Sequence, residues 1–275
     1  MKLSIKTVGS AAPLLVGLLL FFQATAAYAS VSYATSTADS NNGGGVQTTI
    51  NGLPIRVSTS NNVMLVGIWS NARVQNIACT YNGASFTQVA TTTYGNSFSS
   101  LGVWLFALSA PTTGSYFTPS CTYNSINSVT YMQTFVYSGV SQGGFANCLA
   151  AGSSCDATTT HNNTANTSFT NSITTATDKD WVFIWARNEV GDFTAGSNAT
   201  IRSKTSGGDG IDGADTNGDV TPAGVLSQSM SWGGSDISGT IQISLVPQTQ
   251  QSTVHTLFSQ IKGVYIQKKG VMIQR

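Results

Sequence analysis

Val63-Met-Leu-Val-Gly-Ile-Trp69 (VMLVGIW) is apolar at every position, and with Leu101–Leu108 (LGVWLFAL) and Trp181–Ala186 (WVFIWA) it decides the fold class. A strand with one wet face alternates apolar and polar residues, so runs this short that do not alternate read as central strands covered on both sides. No segment of the mature chain carries convincing helical periodicity. Around the three runs lie turn signals. Val74–Tyr81 and Ala84–Thr91 flank Asn82-Gly83, a type I′ hairpin signal, and Pro111-Thr-Thr-Gly114 is placed to turn Leu101–Ser109 into Ser115–Tyr123. A further strand is expected over Val129–Tyr137. Near the end, Leu226, Gln228, Met230 and Trp232 share one face while Ser227, Ser229 and Ser231 take the other. Ile241, Ile243 and Leu245 are then expected inward, with Thr240, Gln242 and Ser244 outward. Roughly ten strands without helices predict an all-β, two-sheet antiparallel β-sandwich of immunoglobulin-like or jelly-roll connectivity.

The first 29 residues read as an export signal. Lys2 and Lys6 precede the apolar run Ala11–Phe22, and Ala27-Tyr28-Ala29 supplies the small-x-small pattern for cleavage after Ala29. The competing reading is an uncleaved anchor, against which Pro13, Gln23 and Thr25 interrupt the apolar part. Residues 30–45 are expected to be a flexible leader, 46–247 the sandwich, 248–253 a linker and 254–275 a basic, β-prone tail. No cysteine follows Ala29 closely, no LPxTG sequence occurs near the end and no second apolar stretch reaches spanning length. The expected location is therefore secreted or at the extracellular surface.

Only 8% of residues are charged, and Ser, Thr, Asn and Gly fill the polar positions. From Ser30 to Thr253 there are six basic and eleven acidic residues, whereas Val254–Arg275 has four basic and none acidic. An acidic body argues against nucleic acid as a partner. The four cysteines, in an oxidising compartment, read as disulfides. Cys79 with Cys121 is favoured because both sit in the string Cys-Thr-Tyr-Asn, and Cys148 with Cys155 would pin a short loop.

The order of signals is a buried strand, the hairpin CTYNGASFTQVA, VWLFALSAPTTGSY, a strand closing on YSGVSQ and a late strand ending ISLVP. Over about residues 60–247 it resembles secreted bacterial β-sandwich modules of surface proteins. That resemblance implies an extracellular, non-enzymatic module, for binding, adhesion or extracellular structure, with an unidentified glycan or protein as partner.

Several stretches suggest chemistry. Gly207–Asp219 (GGDGIDGADTNGD) collects Asp209, Asp212, Asp215, Asn217 and Asp219, hard oxygen ligands on a glycine-rich backbone. Its opening matches the core of the calcium-binding nonapeptide repeat, so a structural calcium ion is one expectation and a solvated Asp/Gly-rich turn the other. Gly139-Val-Ser141-Gln-Gly143 fits the G-x-S-x-G pattern but lacks a following helix. His161 and His255 have no acidic orienter near in sequence, and Glu189 with Asp192 is the one carboxylate pair a glycoside hydrolase reading can offer. No catalytic constellation is expected, although an extracellular hydrolase of carbohydrate or ester stays as the alternative. Trp69, Trp104, Trp181 and Trp185 lie in apolar runs and read as core. Trp232, beside Gly233-Gly234, is the expected exposed aromatic, and with Ser229, Ser231 and Gln242 it forms the candidate ligand-binding face. The tail repeats Gly-Val-x-Ile-Gln-basic, and Val264, Ile266, Val271 and Ile273 suit either a final hairpin or a strand donated to a second copy.

Overall fold

In the computed structural model all three continuously apolar runs are interior strands. The structure describes residues 29–38, 40–43, 45–72, 74–94, 101–127, 129–146, 148–149, 155–204, 210–249, 254–261 and 264–271. The expected signal through Tyr28, together with Asp209 and Ile273, lies outside them.

The strands are β1 (Ser32–Ser36), β2 (Ser40–Asn41), β3 (Val46–Asn51), β4 (Ile55–Arg56), β5 (Asn62–Ser70), β6 (Ala78–Tyr81) and β7 (Ala84–Ser85). Then come β8 (Thr87–Tyr94), β9 (Leu101–Ser109), β10 (Tyr116–Phe117), β11 (Ser120–Asn127), β12 (Thr130–Ser138) and β13 (Ala157–Thr174). β14 (Trp181–Arg187), β15 (Thr194–Ala195), β16 (Thr200–Ser203), β17 (Ile211–Asp215) and β18 (Val225–Leu245) complete the unit Ala29–Gln248. No helix occurs among the described residues.

One large sheet runs β1-β12-β5-β9-β8 and a second runs β13-β18-β14-β17-β16. They share a core in which Leu65, Val103, Leu105, Phe135 and Tyr137 of the first meet Phe183, Trp185, Ile211, Ile241 and Ile243 of the second. Phe135 sits 4.9 Å from Phe183 and 6.0 Å from Trp185 between ring centroids. The outer face of the first sheet is covered in turn. Val66 and Ile68 of β5, with Phe106 of β9 and Met132 of β12, pack on Ile50, Cys79 and Cys121 of the small sheet β3-β11-β6-β7. This double cover is why β5 is buried along its whole length and shows no alternation.

The second sheet is covered by part of itself. Gln242 Nε2 donates to Gln228 Oε1 at 2.7 Å although both belong to β18, whereas fourteen extended residues would separate them by about 46 Å. Likewise Thr160 Oγ1 donates to Asn171 Oδ1 at 2.8 Å within β13. The β13–β18 ribbon therefore doubles over, and its pairing slips between Asn162 and Ser168, opposite the glycine-rich part of β18. Its far half drops Phe169, Met230 and Trp232 onto Ile184, Ala186 and Ala214, the outward side of β14 and β17.

Several expectations are corrected here. The supposed leader enters the fold: Val31 is buried, β1 pairs with β12 through Ser32↔Ser138 and Ser36↔Phe135, and β2 extends the same sheet edge. Its Ser and Thr side chains satisfy an edge strand as readily as a coil. Asn82 and Gly83 do take positive φ, 47° and 80°, in a tight β6–β7 turn. The hairpin ends after two pairs, however, and β8 crosses to pair with β9. Pro111–Gly114 does not close a hairpin either, since β9 pairs with β5 and β8 while β11 pairs with β3 and β6. Thr240, Gln242 and Ser244 do lie on the face opposite Ile241, Ile243 and Leu245, but they are buried and not wet, because the folded ribbon covers that face.

Two disulfides hold the unit. Cys79–Cys121 joins directly opposed residues of β6 and β11, and Cys148–Cys155 closes a seven-residue separation before β13. In the tail, β19 (Val254–Ile261) and β20 (Val264–Val271) pair with each other from Val254↔Val271 to Ile261↔Val264.

Candidate functional site

The aspartate-rich segment is a buried strand over Ile211–Asp215. Residues three apart on a strand face opposite ways. Ile211, Gly213 and Asp215 accordingly face the shared core, and Asp212 and Ala214 face the folded ribbon. Asp212 and Asp215, two of the five expected ligands, are thus on opposite faces of the strand and are not brought together, while Asp209 lies outside the described residues.

Asp215 is instead the centre of a clasp. Its Oδ2 accepts from Tyr137 Oη and from Arg202 Nε, each at 2.8 Å, and its Oδ1 accepts from the Asn217 amide at 2.8 Å. Arg202 also donates to Asn217 Oδ1 at 2.7 Å and lies 4.5 Å from the ring centroid of Tyr33 in β1. Asp219 accepts from Trp181 Nε1 at 3.0 Å. Burial, then the Asp215 charge, raise the Tyr137 hydroxyl well above its ordinary pKa, so it stays a donor to the carboxylate. Five strands converge here, and the charges are spent on joining them. No group of three or more His, Cys, Asp or Glu side chains stands close enough for one metal ion among the described residues.

Arg187 forms the second charged cluster. It is 2% exposed, lies 3.5 Å over the ring of Trp69, bonds Tyr94 Oη at 3.3 Å and pairs with Glu189 at 3.0 Å. Glu189, half of the carboxylate pair considered for glycoside hydrolysis, is therefore held by an arginine, while Asp192 is exposed nearby. His161 is exposed with its Nδ1 3.4 Å from Thr92 Oγ1. Ser141 is followed by non-helical chain over Gln142–Ala146, not by the helix that a nucleophile elbow requires.

The predicted ligand face divides. Trp232 is buried against Phe193 and Phe169, with centroids 5.4 and 6.1 Å away, and is not the exposed aromatic its glycine neighbours suggested. The folded ribbon turned it inward. Gln242 is buried with it, whereas Ser229 and Ser231 stay partly exposed on the ribbon's outer side. There they join Ser168, Thr170, Ser172, Thr174 and Ser227, paired as Ser168↔Ser231, Thr170↔Ser229 and Ser172↔Ser227. Ser172 and Ser227 hydroxyls are 2.7 Å apart. This face carries hydroxyls and no charge.

Two depressions of ligand size lie on the surface formed by the described residues. One, of about 380 Å³, runs between β1 and the β4–β10 pair, where Tyr116 is 69% exposed beside Arg56. The other, of about 340 Å³, lies between residues 74–77 and the outer side of β8, over Trp104. Sequence reading assigned Trp104 to the core and missed this groove. Gln88, Thr91 and Thr93 on one strand were the available signal. No family model, curated protein or solved structure matches the chain.

Proposed function

We propose that this chain is an exported, non-catalytic β-sandwich module of the extracellular surface that binds, adheres to or builds into hydroxyl-rich material. The observation that carries this reading is the division of labour among polar groups. The buried charged side chains Asp215 and Arg187 join strands, while the doubled ribbon presents a charge-free array of Ser and Thr outward. Hydroxyl groups both donate and accept and match glycans and exposed peptide groups alike. The two disulfides suit an oxidising compartment, and among the described residues no helix is long and apolar enough to cross a membrane. The two large sheets with their shared core support the sandwich assignment.

The test is an array of glycans and matrix proteins probed with the purified chain, run beside hydrolysis assays on polysaccharide and ester substrates. Retention on the array without turnover is expected. Turnover of any of these substrates refutes the non-catalytic reading.

A further inference from the structure

We propose that the groove over Trp104 is a binding site for a neutral saccharide of one or two sugar units. This rests on the binding-module reading above and gives it a location and a ligand class.

The groove arises from a mismatch in sheet widths. The small sheet β3-β11-β6-β7 packs on the outer side of β5, β9 and β12, and no β8 residue belongs to that contact. Val89, Ala90 and Tyr94 of β8 point the other way, into the shared core. The outward residues of β8, namely Gln88, Thr91 and Thr93, are left exposed, and the chain at Val74–Ile77 forms the opposite wall.

Trp104 makes the floor. It is the cross-strand partner of Thr91, and Gly102 is the partner of Thr93. A Cβ on Gly102 would meet the Trp104 six-membered ring at 2.1 to 2.7 Å, so the absence of that carbon lets the indole lie down over its own strand. The ring is only 5% exposed, and it lines the groove as a floor beneath polar walls.

Those walls are amides and hydroxyls. Gln75 and Asn76 stand on one side, Gln88, Thr91 and Thr93 on the other, and none of the lining residues is charged. The wall at Val74–Ile77 is anchored: the Gln75 carbonyl accepts from the Asn124 amide at 3.1 Å, and Asn76 Nδ2 donates to Asn124 Oδ1 at 3.2 Å. Thr91 donates its proton to the Val103 carbonyl at 3.1 Å and so faces a ligand as an acceptor. A sugar hydroxyl both donates and accepts, as each amide does, and the C–H face of a sugar ring suits an aromatic surface. Phosphate or sulfate would find no cation among the described lining residues, and a purely apolar ligand would strip water from the amides without replacing it. The volume falls at the small end of ligand sites, about 300 to 1,000 Å³.

The experiment is titration calorimetry of the full chain with neutral gluco-, galacto- and manno-configured di- and trisaccharides. Gln88→Ala, Thr93→Val and, as a control in the Pro111–Gly114 turn, Thr113→Val are measured in parallel. Gln88, Thr93 and Thr113 are surface residues, and melting curves check that each variant is folded. At least tenfold weaker binding by Gln88→Ala and Thr93→Val, with Thr113→Val unchanged, is the expected result. Equal binding by the wild type and both groove variants overturns the groove site and leaves the module reading standing. So does a wild type that binds no neutral saccharide yet is retained by matrix proteins or charged glycans. A chain retained by nothing on the array overturns both.

Discussion

Gly213 is one of the points where the two large sheets press together, and replacing it with alanine tests the core directly. Read in sequence, this glycine belongs to an Asp/Gly-rich turn, where an added methyl group would change stability by less than about 0.5 kcal/mol. In the structure it faces Phe135, and a Cβ there would lie 2.2 Å from Cζ, 2.5 Å from Cε1 and 3.0 Å from Cε2. Normal contact needs more than 3.4 Å, so the ring must retreat by over 1 Å. Phe183 and Trp185, on the strand paired with Gly213, flank the same ring at 4.9 and 6.0 Å between centroids and limit its sideways escape. Overpacking of this kind costs about 1–3 kcal/mol, and with sideways escape limited we expect about 3. For a domain of this length that lowers the melting temperature by about 6–12 °C. Phe135→Leu removes the offending ring atoms, so the Gly213→Ala/Phe135→Leu pair should show coupling of at least about 1 kcal/mol in urea denaturation. A loss under about 0.5 kcal/mol for Gly213→Ala, or additivity in the pair, would refute the facing-sheet geometry.

Asp215→Asn leaves Arg202 facing the Tyr137 hydroxyl without its counter-charge. Because Arg202 is partly exposed and keeps Asn217, we expect a loss of about 3 kcal/mol by urea denaturation, the low end for a broken buried pair. Melting should also be indifferent to chelator, and a fall in melting temperature with EDTA would restore a calcium role to the segment. Alkali should destabilise the fold through Tyr94, whose hydroxyl is pushed up to about 12 by burial. The folded state then holds this proton more tightly than the unfolded chain, where a tyrosine titrates near about 10. Its contribution, about 3 kcal/mol, is complete below pH 10 and is lost as pH rises toward 12. Melting temperatures from pH 8 to 11.5 should fall less steeply in Tyr94→Phe. Removing Cys79–Cys121 by paired alanine substitutions should cost about 4 kcal/mol against about 2 for Cys148–Cys155, given sequence separations of 42 and 7. Equal losses in denaturant would count against the loop-entropy account.

Local signals carried the elements well. Asn82-Gly83 named its own turn, because the two positive φ angles of a tight hairpin are a property of those two residues. The repeated Cys-Thr-Tyr-Asn string pointed to a bond between paired strands, and Cys79 and Cys121 are directly opposed. What was not legible was which strand each run would meet next. Ala84–Thr91 looked like the return arm of one hairpin, yet after two residues it leaves for another sheet, since Val89, Ala90 and Tyr94 gain more by joining the shared core. The candidate site suffered from the same gap. Gln242 was assigned by alternation to an outer surface, which alternation cannot distinguish from a surface covered by another layer, and Trp232 was assigned there by its glycine neighbours, which say nothing of what covers the ring.

By itself, then, the sequence determined that the fold of the described residues is all-β, that three of its runs lie at the centre of sheets, and that its four cysteines pair as Cys79–Cys121 and Cys148–Cys155. Those conclusions follow from period, apolar runs and the local setting of each cysteine, which are written residue by residue. Only the tertiary structure decided that β18 folds back on itself, that Asp215 belongs to Arg202 and Tyr137, and that a groove opens over Trp104. Each of these depends on residues far apart in the chain meeting in space. A strand's side chains state which of its faces differ, but what covers each face is set by the layer that arrives on it.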